Sequence, residues 1–140
     1  MILLDTNVIS EPLRLHGNPG VLAWLDDQAI ETLYLSTISL AELLYGIAVL
    51  PDGRRKDTLR SSLENRVVPL FESRILPFDV AAADAYALLR AKARAAGKAI
   101  ATADGYIAAI AAANGFSVAT RDTSPFKAAG VSVINPWARA

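Results

Sequence analysis

Four acidic side chains in this 140-residue chain follow predicted strands or lie at the beginnings of predicted helices. Asp5 comes directly after an apolar run at the start of the chain, and Asp122 follows a predicted strand near its end. Glu42 and Asp104 lie in the first turns of two predicted helices. If the strands are parallel, their carboxyl ends and the helices that follow share one edge of the sheet, where ligands bind in open α/β folds. We therefore expect the four carboxylates to converge at that edge.

The chemistry of converging carboxylates points to a divalent cation. Crowding raises the pKa values of such groups, so all four remain ionised only if a cation binds among them. Carboxylate oxygens are hard ligands that favour Mg²⁺ or Mn²⁺. The chain has no cysteine and only one histidine, so its composition does not suggest a zinc site. A cation held there can bridge phosphate oxygens, lower the pKa of a bound water and stabilise charge on a leaving oxygen. The acidic constellation therefore predicts phosphodiester hydrolysis.

Taken singly, most of these acids have a purely structural alternative. Glu42 stands three residues after Ser39 and could close a capping box. Asp104 could simply favour the positive end of its helix dipole, and Asp122 could cap the turn that follows it. Asp5 is the exception, because a carboxylate directly after a buried strand needs hydrogen-bond donors or a cation to offset its loss of hydration.

The elements that must position the acids alternate between strands and helices. Apolar runs predict strands at residues 2–4, 33–36, 75–78, 116–119 and 131–134. Helices are predicted at residues 7–15, from Asn18-Pro19 onward, around 40–47, at 54–68, from Asp79 to Gly97 and at about 103–113. Pro77 favours an edge position for the third strand. The alternation predicts one α/β domain over residues 1–140, with a parallel sheet of four to five strands between helical layers.

The composition is that of a globular domain, with 53% hydrophobic and 20% charged residues. Fourteen basic and fourteen acidic residues cancel, so nucleic-acid binding would need a local basic patch. The most apolar stretch, residues 106–113, is far shorter than the ~20 residues of a membrane-spanning helix. Asp5 also interrupts the opening apolar run before a signal peptide could form. We expect a cytoplasmic protein that does not enter membranes.

Several short motifs, taken together, resemble a PIN domain over essentially the whole chain. They are Asp5-Thr6-Asn7 after the first strand, Ala-Glu42-Leu, Ala-Asp104, Thr120-Arg-Asp122, and Asn-Pro-Trp137 near the end. Each motif is weak alone, but their order and intervals are specific. More narrowly, the pattern resembles the VapC/FitB branch of toxin ribonucleases from bacterial toxin–antitoxin pairs.

The resemblance implies a fold, a cofactor and a set of site residues. The fold is a three-layer α/β/α sandwich on a parallel sheet, and the cofactor is Mg²⁺ or Mn²⁺. The implied catalytic acids are Asp5 and Asp104 as direct metal ligands, with Glu42 and Asp122 binding directly or through water. The polar residues implied to support those acids are Thr6, Asn7 and Thr120.

The resemblance also implies partners. Family members cleave RNA, usually form homodimers and are silenced by a cognate antitoxin of the VapB/FitA type, through which they reach operator DNA. Thr102 stands where the family often has a small apolar residue, and we interpret it as a helix cap. A catalytically weak or silent member that works mainly through antitoxin pairing and DNA autoregulation stays open, because an intact acid set is necessary for catalysis but not sufficient.

Two other classes of protein place acids at strand ends. A phosphatase of the haloacid-dehalogenase type needs Asp-x-Asp after its first strand, but the second position here is Asn7. A phosphoacceptor receiver domain needs adjacent acids after the first strand and a lysine after the last strand, and neither is visible. Both alternatives are therefore disfavoured.

Basic and aromatic residues have structural and functional interpretations. Basic side chains on helix faces are usually solvated, although either cluster could hold RNA phosphates in a salt-dependent way. His16 is expected at the surface, and the two tryptophans in a core or interface. The two basic clusters are Arg54, Arg55, Lys56 and Arg60, and Arg90, Lys92, Arg94 and Lys98.

Overall fold

Five parallel strands form one sheet in the computed structural model, which describes residues 1–138. They are β1 (Ile2–Leu4), β2 (Leu33–Ser36), β3 (Ile75–Leu76), β4 (Ser117–Ala119) and β5 (Val133–Ile134). The order is β3-β2-β1-β4-β5, so β1 lies at the centre and pairs with both β2 and β4. Because every pairing is parallel, all carboxyl ends lie at one edge of the sheet. The predicted parallel sheet is confirmed, as is the edge position of β3.

Helices connect the strands and cover the sheet. They are α1 (Thr6–Ile9), α2 (Pro19–Asp26), α3 (Thr37–Ala48), α4 (Arg54–Ser62), α5 (Val68–Phe71), α6 (Val80–Ala95), α7 (Thr102–Asn114) and α8 (Thr123–Ala128). A π-helical turn (Leu63–Val67) joins α4 to α5, and short 3₁₀ turns lie at Glu11–Leu13, Ile30–Thr32 and Glu72–Arg74. None of the helices within residues 1–138 is long and apolar enough to cross a membrane.

The hydrophobic residues form one core on each face of the sheet, because successive side chains of a strand point to opposite faces. Leu3 of β1 packs with α6, α7 and α8, where Ile107 and Phe126 are fully buried. Leu4 points the other way and packs with the helices α1 to α5, among them Trp24 of α2. Trp137 packs against this second core, so the core interpretation holds for both tryptophans. The result is the predicted α/β/α sandwich.

Helix boundaries agree with prediction where a local cap fixes them. The side chain of Asn18 accepts a hydrogen bond from the Gly20 N–H at 2.9 Å at the start of α2. Asp79 accepts one from the Ala82 N–H at 2.9 Å at the start of α6. Gly97 follows the end of α6 with φ +72°, a left-handed conformation that favours glycine.

Three helix predictions were wrong in detail. The helix predicted at residues 7–15 ends at Ile9 and is followed by a 3₁₀ turn that contains Pro12, which lacks an N–H and cannot continue an α-helix. The helix predicted at 54–68 continues to Phe71 through the π-helical turn. Thr102 is inside α7 and is not its cap, because Ala101 occupies that position without a side-chain hydrogen bond.

Smaller differences affect the last two strands and the segment after Asp122. β4 begins at Ser117 and β5 at Val133, one and two residues later than predicted. The residues after Asp122 form the short helix α8 where only a turn was predicted. Asp122 stands at the N-cap position of α8, but its side chain makes no capping hydrogen bond. The interpretation of Asp122 as a cap is therefore wrong.

Candidate metal centre

Asp5 lies where predicted, at the end of the central strand, and its side chain is only 5% exposed. One carboxylate oxygen accepts a hydrogen bond from the Thr6 N–H at 2.8 Å. The other accepts from the Thr120 hydroxyl at 2.8 Å and from the Asn7 amide at 3.4 Å. Burial raises the pKa of Asp5 from 3.8 to about 6, and the charges of Asp104 and Glu42 act in the same direction. The hydrogen bonds from Thr120 and Thr6 only partly offset the rise in pKa.

Thr120 and Asn7 join the Asp5 loop to the loop that carries Asp122. Thr120 is completely buried, and its hydroxyl oxygen also accepts a hydrogen bond from the Asp122 N–H at 3.1 Å. The side-chain oxygen of Asn7 accepts a hydrogen bond from the Arg121 N–H at 3.2 Å. The two loops are thus held together by side chains that come shortly after β1 and β4, the neighbouring strands at the centre of the sheet. The supporting role that the resemblance implies for Thr120 and Asn7 stays a prediction.

Glu42 faces the same edge but from a different helical turn than expected. α3 begins at Thr37, so Glu42 lies in its second turn and not in its first. Ser36 is the N-cap of α3 and accepts from the Ser39 N–H at 3.0 Å, so the capping box between Ser39 and Glu42 does not form. Glu42 instead accepts a hydrogen bond from the Thr6 hydroxyl at 2.6 Å. Thr6 therefore contacts two of the four acids.

Asp104 and Asp122 complete the set. Asp104 lies in the first turn of α7, as predicted. Its pKa is raised first by partial burial and then by the charges of Asp122 and Glu42. Asp122 is exposed beyond the end of β4. Because Glu42 acts on the pKa values of both Asp5 and Asp104, and Asp122 acts on that of Asp104, the structure brings all four acids into electrostatic contact at the carboxyl edge of the sheet.

Protein cations do not neutralise this cluster. Each ion pair within residues 1–138 lies elsewhere: Arg14–Glu11, Lys56–Asp52 and Arg60–Glu64. A buried carboxylate with a raised pKa and no cationic partner is in the electrostatic state that a bound cation would relieve. The electrostatics and the oxygen donors therefore fit a hard divalent cation.

The geometry limits the kind of cation site that these residues can form. Within residues 1–138, no group of three or more histidine, cysteine or acidic side chains is close enough to hold a metal ion by itself. Mg²⁺ commonly takes one or two carboxylates and fills its remaining positions with water and substrate phosphate. The arrangement fits an open, mostly hydrated Mg²⁺ or Mn²⁺ better than a closed protein cage.

The sequence did not predict the contacts of two residues, Arg121 beside the site and Glu11 in the turn after α1. Arg121, between Thr120 and Asp122, places its guanidinium 5.4 Å from the centre of the Trp137 ring, which packs the end of the chain against this loop. Glu11 is 2% exposed, pairs with Arg14 at 3.3 Å and accepts from the Asn18 N–H at 3.3 Å. The spacing of Glu11 and Arg14 could have suggested their pairing, but no local pattern indicates burial. His16 is exposed, as expected.

The sequence comparisons identify close relatives. The model of the PIN domain family matches residues 2–131. The plasmid stability protein StbB of Pseudomonas syringae pv. tomato is 64% identical over 98% of this chain and 99% of its own length. The VapC ribonuclease Y4jK of Sinorhizobium fredii is 56% identical over 98% of both chains. The toxin FitB of Neisseria gonorrhoeae is 56% identical over 98% of this chain and 99% of its own length.

Solved structures agree with these relatives. The crystal structure of FitAcB from Neisseria gonorrhoeae superposes with a TM-score of 0.96 at 55% identity, covering 99% of this chain and 100% of that one. The structure of FitAB bound to an IR36 DNA fragment gives a TM-score of 0.96 at 53% identity, covering 100% of this chain and 98% of that one.

Proposed function

We propose that this chain, which belongs to the PIN domain family, is a metal-dependent ribonuclease. We further propose that it is the toxin of a type II toxin–antitoxin pair. The observation that carries the proposal is the cluster of four carboxylates at one edge of the sheet, in which the pKa values of Asp5 and Asp104 are raised and no ion pair within residues 1–138 supplies a cationic partner. The relative named VapC ribonuclease supports RNA as the substrate. The relative named FitB supports the role of a toxin.

Each residue of the site has a place in the proposal. Asp5 and Asp104 would hold Mg²⁺ or Mn²⁺ directly, and Glu42 and Asp122 would hold it directly or through water. When bound, the cation would supply a polarised water and would neutralise charge on the phosphodiester. The hydrogen bonds from Thr120 and from the backbone of Thr6 fix the orientation of the Asp5 carboxylate, one at each oxygen. Because the oxygen that accepts from Thr6 keeps a further lone pair, these bonds position Asp5 and leave it able to bind a cation.

The hydroxyl of Thr6 and the side chain of Asn7 serve the outer part of the site. The Thr6 hydroxyl restricts the otherwise exposed Glu42 side chain through the 2.6 Å hydrogen bond. Asn7 ties the Asp5 loop to the backbone beside Asp122. Fixing four like-charged groups in one arrangement before the cation arrives reduces the reorganisation that binding requires.

An RNA cleavage assay tests the proposal. Purified protein free of antitoxin is incubated with cellular RNA and Mg²⁺ or Mn²⁺, with EDTA and Asp5→Asn as the two inactivating conditions. Asp84→Asn is the matched control, because Asp84 is exposed on α6 and lies outside the acid cluster. We expect cleavage by the wild type and the control variant only. Cleavage that survives both EDTA and Asp5→Asn would show that the acids and their cation are not the source of activity.

The partners of the toxin are part of the same proposal. The structure of FitAB bound to a DNA fragment supports a partner protein and a DNA-binding role for the pair. We propose that a cognate antitoxin of the VapB/FitA type is that partner and that this chain reaches operator DNA only through it. We expect growth arrest in bacterial cytoplasm on expression, relief on co-expression of the antitoxin, and a homodimer in sedimentation analysis. Absence of arrest by folded, active protein would contradict the toxin role.

A second candidate function is a catalytically weak member that acts mainly by pairing with the antitoxin and regulating its own promoter. The observation that favours it is the lack, within residues 1–138, of three metal-ligating side chains close enough to hold a cation unaided. This alternative predicts cation binding without RNA turnover in the assay above, together with promoter repression by the complex.

A further inference from the structure

We propose that a basic groove formed by the end of α6, residues 97–101 and α8 binds the phosphates of an RNA strand beside the acid cluster. Its phosphate-binding side chains are Arg94, Lys98 and Lys127. The inference rests on the proposed ribonuclease function and locates the part of the RNA that extends away from the scissile bond.

The groove consists of two adjoining hollows. The larger has a volume of about 700 Å³ and lies between the second half of α6 and the segment that leads into α7, with Arg94 and Lys98 at its rim. The smaller, of about 380 Å³, lies between that segment and α8, where Lys127 lines it. Lys98 and Ala99 line both hollows, so the two form one continuous path.

The charge of the groove is uncompensated. Neither hollow has an acidic residue in its lining. Arg94, Lys98 and Lys127 are exposed and take part in none of the ion pairs found within residues 1–138. In a chain whose formal net charge is zero, three free cations along one groove create the local basic patch that binding of a polyanion requires.

The other basic cluster is arranged differently. On α4, Lys56 pairs with Asp52 and Arg60 pairs with Glu64, so half of the four cations predicted there are already neutralised. The structure thus separates two clusters that the sequence left equivalent. The other two cations of α4, Arg54 and Arg55, are in no ion pair within residues 1–138 and line a separate hollow with Arg14. In the cluster at the end of α6, Arg94 and Lys98 line the groove, whereas Lys92 lines neither of its hollows.

Arg90 shapes the wall of the groove. Its guanidinium donates a hydrogen bond to the Ile100 carbonyl at 2.9 Å and lies 5.4 Å from the centre of the Tyr86 ring. Gly105 permits this packing, because a Cβ at that position would lie 3.1 Å from the Tyr86 ring. Arg90 therefore fixes residues 97–101 against α6, and we assign it a positioning role.

Both walls of the groove continue into segments that carry acids of the cluster. Ile100, in the first wall, precedes Asp104 by four residues. Ser124, in the second wall, follows Asp122 by two residues. An RNA strand whose scissile phosphate lies at the carboxylates would therefore have the positively charged groove beside it. The acids repel the phosphate backbone of RNA except where a cation is bound, whereas the cations of the groove attract that backbone.

Binding of labelled RNA tests the inference without requiring turnover. Fluorescence anisotropy is measured for a fluorescein-labelled single-stranded RNA 12-mer in EDTA, over a range of salt concentrations, with the double variant Arg94→Gln/Lys98→Gln and with Lys127→Gln. The matched control is Lys92→Gln/Arg66→Gln, which removes two exposed cations that line neither hollow of the groove. Melting curves check that every variant is folded.

The expected effect follows from counterion release. Each phosphate contact with a single strand contributes about 0.7 to the slope of log K against log salt. The groove double variant should lower the slope by about 1.4 and weaken binding about 25-fold at 0.1 M salt, and Lys127→Gln should lower the slope by about 0.7. The control should bind as the wild type does.

Unchanged binding by the groove variants, or equal weakening by the control, would overturn the inference. Cleavage by the wild type is measured in parallel, so the two proposals fail separately. RNA cleavage with unaltered binding by groove variants would refute the groove alone. Loss of binding in those variants with no cleavage by the wild type would support the groove and refute the nuclease.

Discussion

Replacing Asp5 with asparagine should stabilise the metal-free protein at neutral and alkaline pH. Burial raises the pKa of Asp5 from 3.8 to about 6, which corresponds to about 3 kcal/mol of unfavourable free energy for the ionised group in the fold. Asparagine has nearly the same shape and carries no charge. The variant should therefore recover most of that free energy, provided that its hydrogen bonds can be kept.

The structure indicates that the hydrogen bonds with Thr6 and Thr120 can be kept. The Thr6 N–H can donate to the oxygen of the new amide as it donates to Asp5. The Thr120 hydroxyl can accept from the amide nitrogen if its own proton turns to the Asp122 carbonyl, which lies 3.3 Å away. One rearranged hydroxyl thus keeps the bond with Thr120, whereas the 3.4 Å bond from the Asn7 amide is lost because that donor would face the new NH₂ group. A net gain of about 2 kcal/mol is expected, or a rise in melting temperature of about 6 °C.

The pH dependence follows from the direction of the pKa shift. Because the pKa of Asp5 is higher in the folded state, the folded protein binds the extra proton, and stability from Asp5 is complete below pH 3.8 and lost as the pH rises to about 6. The advantage of Asp5→Asn should be absent at pH 4, grow between pH 4 and 6, and remain constant above about pH 7. Mg²⁺ should reverse the order by stabilising the wild type more than the variant.

Urea unfolding at a series of pH values, in EDTA and in Mg²⁺, measures these differences. Asp84→Asn again serves as the control, and its stability should follow that of the wild type across the pH range. If Asp5→Asn were less stable than the wild type in EDTA at pH 8, or if its advantage did not vary with pH, then burial of an uncompensated charge would be the wrong description of Asp5.

Three further predictions concern the Thr120 hydroxyl, the pH dependence of Mg²⁺ binding, and Gly17. Thr120→Val, which keeps the side-chain shape but removes a buried donor to Asp5, should destabilise the protein by about 1–3 kcal/mol in urea unfolding; an unchanged midpoint would contradict the role of this hydrogen bond. Mg²⁺ affinity, measured by calorimetry, should fall as the pH drops below about 6, because protons compete for Asp5, and raised pKa values at Asp104 add to the effect; affinity independent of pH would rule out ligation by these groups. Gly17→Ala should lower stability by about 1–3 kcal/mol, since its Cβ would lie 2.6 Å from the Glu11 carbonyl oxygen, whereas Gly46→Ala, where that space is open, should not destabilise.

Strand prediction from the sequence was accurate because the patterns were local. Residues 2–4 and 33–36 are short, mainly apolar runs, and both form neighbouring strands of a sheet that is covered by helices on both faces. Pro77 marked β3 as an edge strand by the hydrogen bond it cannot donate. Helices with side-chain caps at Asn18 and Asp79 were likewise predicted at the correct residue.

The errors arose where tertiary contacts decide the outcome. Thr102 is a good capping residue by type, yet α7 begins at that residue and the cap position falls on Ala101. Ser36 rather than Ser39 caps α3, so Glu42 lies one turn further along the helix than predicted. Its side chain therefore forms no capping box and instead contacts Thr6. Glu11 is buried because the chain after α1 turns back so that the Asn18 N–H donates to its carboxylate. No short sequence pattern predicts that course of the chain.

For the site itself, the sequence predicted which edge of the sheet the acids would share but not how closely they would approach. The alternation of strands and helices was sufficient to place Asp5 and Asp104 correctly. Separations among side chains depend on helix rotation and loop course, which periodicity does not determine. The roles of the four acids in binding a cation and in catalysis remain predictions.

The hydrogen bond between Thr120 and Asp5 joins residues 115 positions apart in the sequence. At a synthesis rate of about 5–20 residues per second, Asp5 emerges roughly 6–23 s before Thr120 has been added. During that interval β1 lacks one of its two neighbouring strands. Asp104 is added only late in the interval, and Asp122 is added after it has ended. A nascent chain therefore cannot assemble the acid cluster while it is being translated. The ribosome that makes the proposed toxin, and the message it reads, would be spared until the protein is almost complete.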